Sequence, residues 1–403
     1  MSTEIAVVGG GILGLSAARA LSHRVPGSRV IVLEKEPAIG LHQTGRASGV
    51  VHSGVYYTPG SLKARLCVQG ARELVAFCEE RGIPFRRCGK VIVATSEDEL
   101  PRLEELQRRA LTNGVGGAEL IGPERLAELE PHAAGVRALH VPTTGIVDFS
   151  LVARAYAEDV AAAGGEVRLS HEVTGVDVRG RRAIVATSAG ELEVDHVVAC
   201  AGVYADRVAR LCGGSAEPRI VPFRGDYFVL RPERRSLVNG LVYPVPDPTF
   251  PFLGIHTTLR PDGAVWLGPN AVLAFAREGY GRFQVGGRDL LETLAAPGFR
   301  RLARRHWRTG TAELVRDYSR RLFVASARKL LPDLRPEDVV RGPAGIRAQA
   351  LAADGSLVDD FVFEAQPCVL QVRNAPSPGA TSSLPIGETI ADMAIEAFAL
   401  ERA

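Results

Sequence analysis

Residues 5–14 read IAVVGGGILG, and this stretch decides the fold. Ile5, Ala6, Val7 and Val8 form an apolar run of the buried-strand type. Gly9, Gly11 and Gly14 then satisfy G-x-G-x-x-G and open an apolar helical pattern through Ile12, Leu13, Leu15, Ala18 and Leu21. The spacing has a mechanical reason: Gly9 permits the tight turn, Gly11 lets backbone approach a pyrophosphate, and Gly14 allows close packing of helix on strand. A second apolar run, Arg29 to Leu33, reads as the neighbouring parallel strand. Glu34 at its end can accept both hydroxyls of an adenosine ribose and would repel a 2'-phosphate. Strand, glycine turn, helix and acid together predict a dinucleotide site with the phosphates at the helix N-terminus. A structural turn in an unrelated α/β domain is the competing reading.

The 403 residues, 46% of them apolar, suffice for two domains with sizeable cores. A net charge of +2, with acids and bases nearly balanced, argues against a nucleic-acid protein. The six cysteines (67, 78, 88, 200, 212 and 368) show no C-x-x-C and no metal-finger spacing, which points to reduced thiols in a cytoplasmic protein and to no structural metal. The first strand begins within five residues of Met1, so no secretory leader is expected, and no apolar run reaches the ~20 residues of a membrane span.

Beyond the first βαβ unit comes a loop, residues 42–54, then a helix over 61–81 capped by Ser61, a strand over 91–95 and an exposed helix over 97–110. Ile146, Val147 and Asp148 precede a helix over 150–163, followed by strands over 166–169, 173–178, 183–187 and 191–200. The last ends in Ala201 and Gly202, where small residues let the sheet's carboxyl end approach a ligand. Residues 221–267 are strand-like, 300–331 helical and basic, and a turn-rich loop at 376–381 precedes a helix over 386–400. The expected fold class is mixed α/β: a doubly wound, Rossmann-like dinucleotide-binding domain from residues 1–86, 145–215 and 340–403, and a mixed, largely antiparallel substrate domain from 87–144 and 216–339.

Longer stretches carry a resemblance. HQTGRASGVVHSGVYYTPGSLKARLCVQG from His42, CGKVIVATS from Cys88, PFRGDYF from Pro222, YPVPDPTFPFLGIHTT from Tyr243, GPNAVLAFAREGY from Gly268, GIRAQA from Gly345 and NAPSPGATSSLPIG from Asn374 span nearly the whole chain. In these segments the chain resembles the FAD-dependent glycine/D-amino-acid oxidase superfamily, in particular its branch acting on L-2-hydroxyglutarate. The resemblance implies noncovalent FAD, oxidation of the 2-hydroxyl of a small dicarboxylate to give 2-oxoglutarate, and electrons passed to quinone or oxygen. It also implies flavin contacts from Arg46, Ser48 and Gly49. The chain departs from the family at Ala47, where relatives usually carry Asn; an amide that could tie down the flavin loop is missing. Activity on another 2-hydroxy acid, glycerol 3-phosphate or an amino acid is the alternative within the superfamily. A catalytically silent flavin-binding subunit of an electron-transfer complex is the alternative of another class.

Oxidising a hydroxy acid needs a hydride acceptor over the Cα–H, a base for the hydroxyl proton, and cations for the carboxylates. His52, next to the glycine-rich loop, is the first choice of base and His256 the second; a histidine that merely hydrogen-bonds the loop is the bland reading. Arg347, in the apolar context Gly345-Ile346-Arg347-Ala348, and Arg224, beside Gly225 and Tyr227, are the two expected carboxylate clamps, with structural salt bridges as the alternative for each. Tyr57 and Tyr243 can donate hydroxyl hydrogen bonds or simply pack. Gly379, Ala380, Thr381 and Ser382 offer amides and hydroxyls just before a helix, as a second phosphate or flavin-ring contact would, and Val173 and Gly202 are expected backbone contacts by position. Residues 300–329 hold ten Lys or Arg against two acids, interleaved with Leu302, Trp307, Val315 and Leu322. Such a helix packs on its own domain or rests peripherally on the inner face of a cell membrane.

Overall fold

The computed structural model describes residues 3–247 and 254–402, and only the backbone of Thr309. The apolar run at the start is the central strand Glu4–Val8, flanked in parallel by Arg29–Leu33 and His196–Ala199. The full sheet runs Val362–Ala365, Val369–Asn374, His196–Ala199, Glu4–Val8, Arg29–Leu33, Glu166–Arg168, antiparallel only at its Val362–Ala365 edge. Alternate residues serve different layers, as strand geometry requires. Ile5, Val7, Val30 and Val32 pack beneath the helices Ile12–Arg24, Phe149–Ala162 and Ser383–Phe398. Ala6, Val8, Ile31 and Leu33 face Val173, Val185 and Val194 of a three-stranded antiparallel meander, with Val208 of the short helix Ala205–Leu211. The second face therefore differs from a doubly wound sheet. Residues 190–200 form two strands rather than one, because Asp195 leaves the ladder and its carboxylate accepts from the Glu4 amide at 2.9 Å.

Of three further sheets among the described residues, the smallest joins Gly145–Val147 to Val50–Val51 and Phe85–Arg87, and two are larger. One is ordered Leu241–Pro244, Lys90–Ala94, Arg137–Val141, Glu119–Ile121, and helix Leu100–Thr112 packs against it. The other is antiparallel and is dominated by Arg219–Leu230 paired along its length with Val339–Leu351. That pairing corrects the expected boundary at residue 340: Val339–Leu351 belongs to the antiparallel sheet, and the chain rejoins the nucleotide sheet only at Val362–Ala365. The basic segment is also broken where one helix was expected. Pro297–Tyr318 kinks at His306, and Arg320–Ala327 starts anew on a Ser319 cap whose side chain accepts from the Leu322 amide.

Candidate active site

The glycine turn behaves as its spacing demands. A Cβ on Gly9, at φ +110°, would lie 2.6 Å from the Cys200 carbonyl oxygen, and one on Gly14 would lie 1.9 Å from that of Gly9. A Cβ on Gly11 would meet only the Thr44 hydroxyl, at 3.6 Å, so this backbone stays open to a ligand. Gly11 has no side chain to cap helix Ile12–Arg24, the Thr44 hydroxyl accepts from the Ile12 amide at 3.0 Å, and the turn lines a cavity of about 1650 Å³ together with Glu34. The Glu34 carboxylate is aimed by two amides, Gly10 at 2.7 Å and Glu36 at 2.9 Å, which leaves acceptor capacity for ribose hydroxyls.

The cavity continues from this turn past Arg46, Ser48, Val173 and Gly202 to His52, Tyr57, Tyr243 and His256, and reaches Arg347, Gly379, Ala380 and Thr381. Gly14, Gly49 and Ser382 are set back from it. Gly14 packs helix on strand, Gly49 holds φ +84° against Val147 and Arg260, and Ser382 is buried with Gly70 of helix Leu62–Glu80 beneath it. The Thr381 hydroxyl accepts from the His52 amide at 3.0 Å, joining residues 329 apart in sequence. At Ala47 the carbonyl accepts from Arg260 at 2.8 Å, and the Arg260 guanidinium lies 4.2 Å from the Trp266 ring centroid. Arg46 stacks 3.7 Å from the Tyr280 ring centroid.

The two histidines differ in what their rings touch. His256 Nδ1 lies 2.9 Å from the Gly254 carbonyl, an acceptor only, so that nitrogen carries the proton and Nε2 is the free base; its ring stacks on Tyr243 with centroids 4.0 Å apart. His52 Nδ1 is buried with no partner among the described residues. Burial, reinforced by the positive charge of Lys90, pushes His52 down to about 3, and burial does the same to His256. Both are neutral imidazoles, the form a base needs.

Arg347 and Arg224 lie on different faces of one ladder. Arg347 is paired across with Phe223, and directly opposed residues share a face, so Arg224 points the other way together with Asp226. Arg347 lines the cavity; burial pulls its guanidinium down while the neighbouring Tyr227 pulls it up. Arg224 is absorbed in the core by Asp226 at 2.6 Å and Asp317 at 3.2 Å, and its expected clamp role is corrected to a structural one. Two lysines that the sequence pattern does not single out also occupy this region. Lys63 lines the cavity and pairs with Asp359 at 2.6 Å. Lys90, 2% exposed, has its ammonium 4.7 Å from the Tyr56 ring centroid and 5.0 Å from that of Tyr243. Its one signal in the sequence is a lysine opening the apolar run VIVA.

A family model described as FAD dependent oxidoreductase matches residues 4–393. The chain belongs to this family. Its relatives include the L-2-hydroxyglutarate dehydrogenase of Indibacter alkaliphilus, 47% identical over 99% of this chain and 100% of that protein, and the mitochondrial L-2-hydroxyglutarate dehydrogenase of Homo sapiens, 46% identical over 99% and 90%. Among solved structures, FAD-bound L-alpha-glycerophosphate oxidase from Mycoplasma pneumoniae superposes with a TM-score of 0.80 at 21% identity, covering 100% of this chain and 96% of that one. Glycine oxidase from Geobacillus kaustophilus gives 0.71 at 20% identity and covers 100% of both. These two establish the FAD dependent oxidoreductase fold. The open backbone at Gly11, the aimed Glu34 and the partnerless His52 Nδ1 fit the family's cofactor: helix Ile12–Arg24 and Glu34 would hold the ADP half, and the loops around Ser48, His52 and Thr381 the flavin half.

Proposed function

We propose that this chain oxidises L-2-hydroxyglutarate to 2-oxoglutarate and passes the electrons to a quinone or to oxygen. The observation that carries the substrate is the 47% identity, along essentially the whole chain, to a protein named for that reaction. Bound FAD supplies the hydride acceptor, taking hydrogen and two electrons from C2. The chain's own residues do the rest. Arg347 binds one carboxylate with its planar fork. His52 takes the hydroxyl proton, and the Thr381 hydroxyl, which accepts from the His52 amide at 3.0 Å, holds its backbone in place. Tyr57 and Tyr243 donate hydrogen bonds within the cavity, and His256 is the second choice of base through Nε2. The protein is assigned to the cytoplasm, with peripheral contact to an anionic bilayer through residues 300–329 as the route to a membrane quinone. Trp307 is 59% and Val315 58% exposed there among arginines, and no helix among the described residues is long and apolar enough to cross a membrane.

The test is an anaerobic absorbance spectrum of the purified protein before and after addition of L-2-hydroxyglutarate, with the D enantiomer as control. Bleaching of the flavin band by the L form alone is expected. A flavin untouched by either enantiomer would overturn the substrate assignment and leave the family intact.

A further inference from the structure

Lys90 opens strand Lys90–Ala94 between two apolar register partners, Val141 on one side and Leu241 on the other. It makes no salt bridge among the described residues, and its ammonium rests against the rings of Tyr56 and Tyr243, both of which line the cavity. Glu130, a buried acid of the neighbouring loop, is committed to the amides of Asn239 and Gly240 at 2.9 Å and 2.6 Å. A buried ammonium without an anion is costly, and proteins ordinarily pair one or replace it. Two aromatic faces offset only part of that cost.

Resting on the reaction proposed above, we infer that Lys90 is a specificity-determining positioning residue: across the rings of Tyr56 and Tyr243 it supplies the second positive charge that a dicarboxylate requires. Arg347 meets one carboxylate directly, and Lys90 favours the other through the field it projects into the cavity. The dianion is the counterion that the core omits. A monoanionic 2-hydroxy acid of similar size gains nothing from Lys90, so selectivity for dicarboxylates is carried by a residue that does not touch the substrate. A unit charge at this depth is worth about a tenfold change in affinity or more.

The groups facing Lys90 leave its titration legible. They are His52 and His256, both pushed to about 3; Cys67 and Cys88, raised to about 12 and about 11; and Tyr56 and Tyr243, both raised by burial. Lys90 itself is lowered by burial to about 8. Lysine is charged below its pKa, so affinity for a dianion is full at neutral pH and declines as pH rises through about 8.

The experiment titrates the flavin spectrum of the holoprotein with 2-oxoglutarate and with 2-oxobutyrate, in the wild type and in Lys90→Met, at steps between about pH 7 and pH 9.5. Lys90→Met should weaken 2-oxoglutarate about tenfold or more, change 2-oxobutyrate less than about twofold, and abolish the wild-type loss of 2-oxoglutarate affinity above pH ~8. Equal losses for both ligands, or no loss for either, would overturn the inference. If Lys90→Met does not retain flavin, the wild-type pH titration decides alone: affinity for 2-oxoglutarate that stays flat through pH ~9.5 is incompatible with it. Failure of the proposed reaction is separately visible, as wild-type flavin that L-2-hydroxyglutarate does not bleach.

Discussion

Arg224 and Asp317 lie 3.2 Å apart with side chains only 2% and 1% exposed, far too enclosed to exchange partners with a ligand. Asp226 and Arg282 complete the cluster, with Arg282 at 3.1 Å from Asp317, and the Asn270 amide donates to the same carboxylate at 2.5 Å. Burial first, then Asp317, pushes Asp226 up from the ordinary carboxylate value, and Arg224 opposes both. Removing Arg224 would leave two buried carboxylates short of a cation. Arg224→Ala should cost about 3–5 kcal/mol of stability in denaturant unfolding. At a temperature where the variant remains folded, its KM for substrate should stay within a few-fold of wild type.

Arg347→Ala should show the reverse. The residue lines the cavity, and loss of a charge-assisted contact to a carboxylate is worth about 1.5–3 kcal/mol, a 10- to 150-fold rise in KM for the dicarboxylate. Flavin content should be unchanged. Steady-state kinetics and the ratio of flavin to protein absorbance check both halves.

His52 is held at about 3, well below the ordinary histidine value, so its base form persists as pH falls. The kcat/KM profile should therefore show no acid limb near pH 6.5 and remain flat to about pH 5. His52→Ala should lower flavin reduction by about 10²–10⁴-fold. Stopped-flow reduction across pH tests both; wild-type rates in the variant would move the base to His256.

The same two histidines make the fold acid-sensitive. With folded values depressed to about 3 and unfolded values near 6.5, the unfolded chain binds more protons between those limits. Their contribution is complete above pH ~6.5 and is lost as pH falls toward 3, each histidine giving a slope of up to ~1.4 kcal/mol per pH unit. Thermal unfolding followed from pH 7 to pH 4.5 should show a steep loss of Tm, and His256→Asn should flatten it.

Gly11 and Gly14 should separate cofactor from fold. Gly14→Ala sets a Cβ 1.9 Å from the Gly9 carbonyl oxygen and should yield little soluble protein. Gly11→Ala meets only Thr44 at an ordinary 3.6 Å, so the chain should fold and lose flavin. Circular dichroism and the flavin absorbance band distinguish the two outcomes.

What could be read from sequence was local. The glycine turn with Glu34 falls within one βαβ unit, and the Ser61 cap, whose side chain accepts from the Ala64 amide at 3.2 Å, within one helical turn. Arg224 and Arg347 could not be ranked, because each has the composition of a buried, glycine-flanked arginine. Only the register of Arg219–Leu230 against Val339–Leu351 puts one toward the cavity and the other toward Asp317, and a one-residue slip would bring both onto the same face. Lys90 was hidden for a similar reason: a lysine before VIVA reads as a strand's solvated first residue until the Leu241–Pro244 strand and Tyr56 enclose it. The kink at His306 carries no proline to announce it.

The seam between helices Ile12–Arg24 and Ser383–Phe398 sets the order in which this protein can be made. Ser16 donates its hydroxyl to the Ser383 carbonyl at 2.7 Å, and Gly387 seats directly against Ser16, where a Cβ would come within 2.2 Å. On the ribosome, the first helix therefore waits for residues synthesised more than three hundred and sixty codons later before its packing partner exists. Until then Gly11 has no Thr381 across the cleft from it. Cofactor capture is thus a step that follows translation, and a nascent chain stalled short of Thr381 would be colourless.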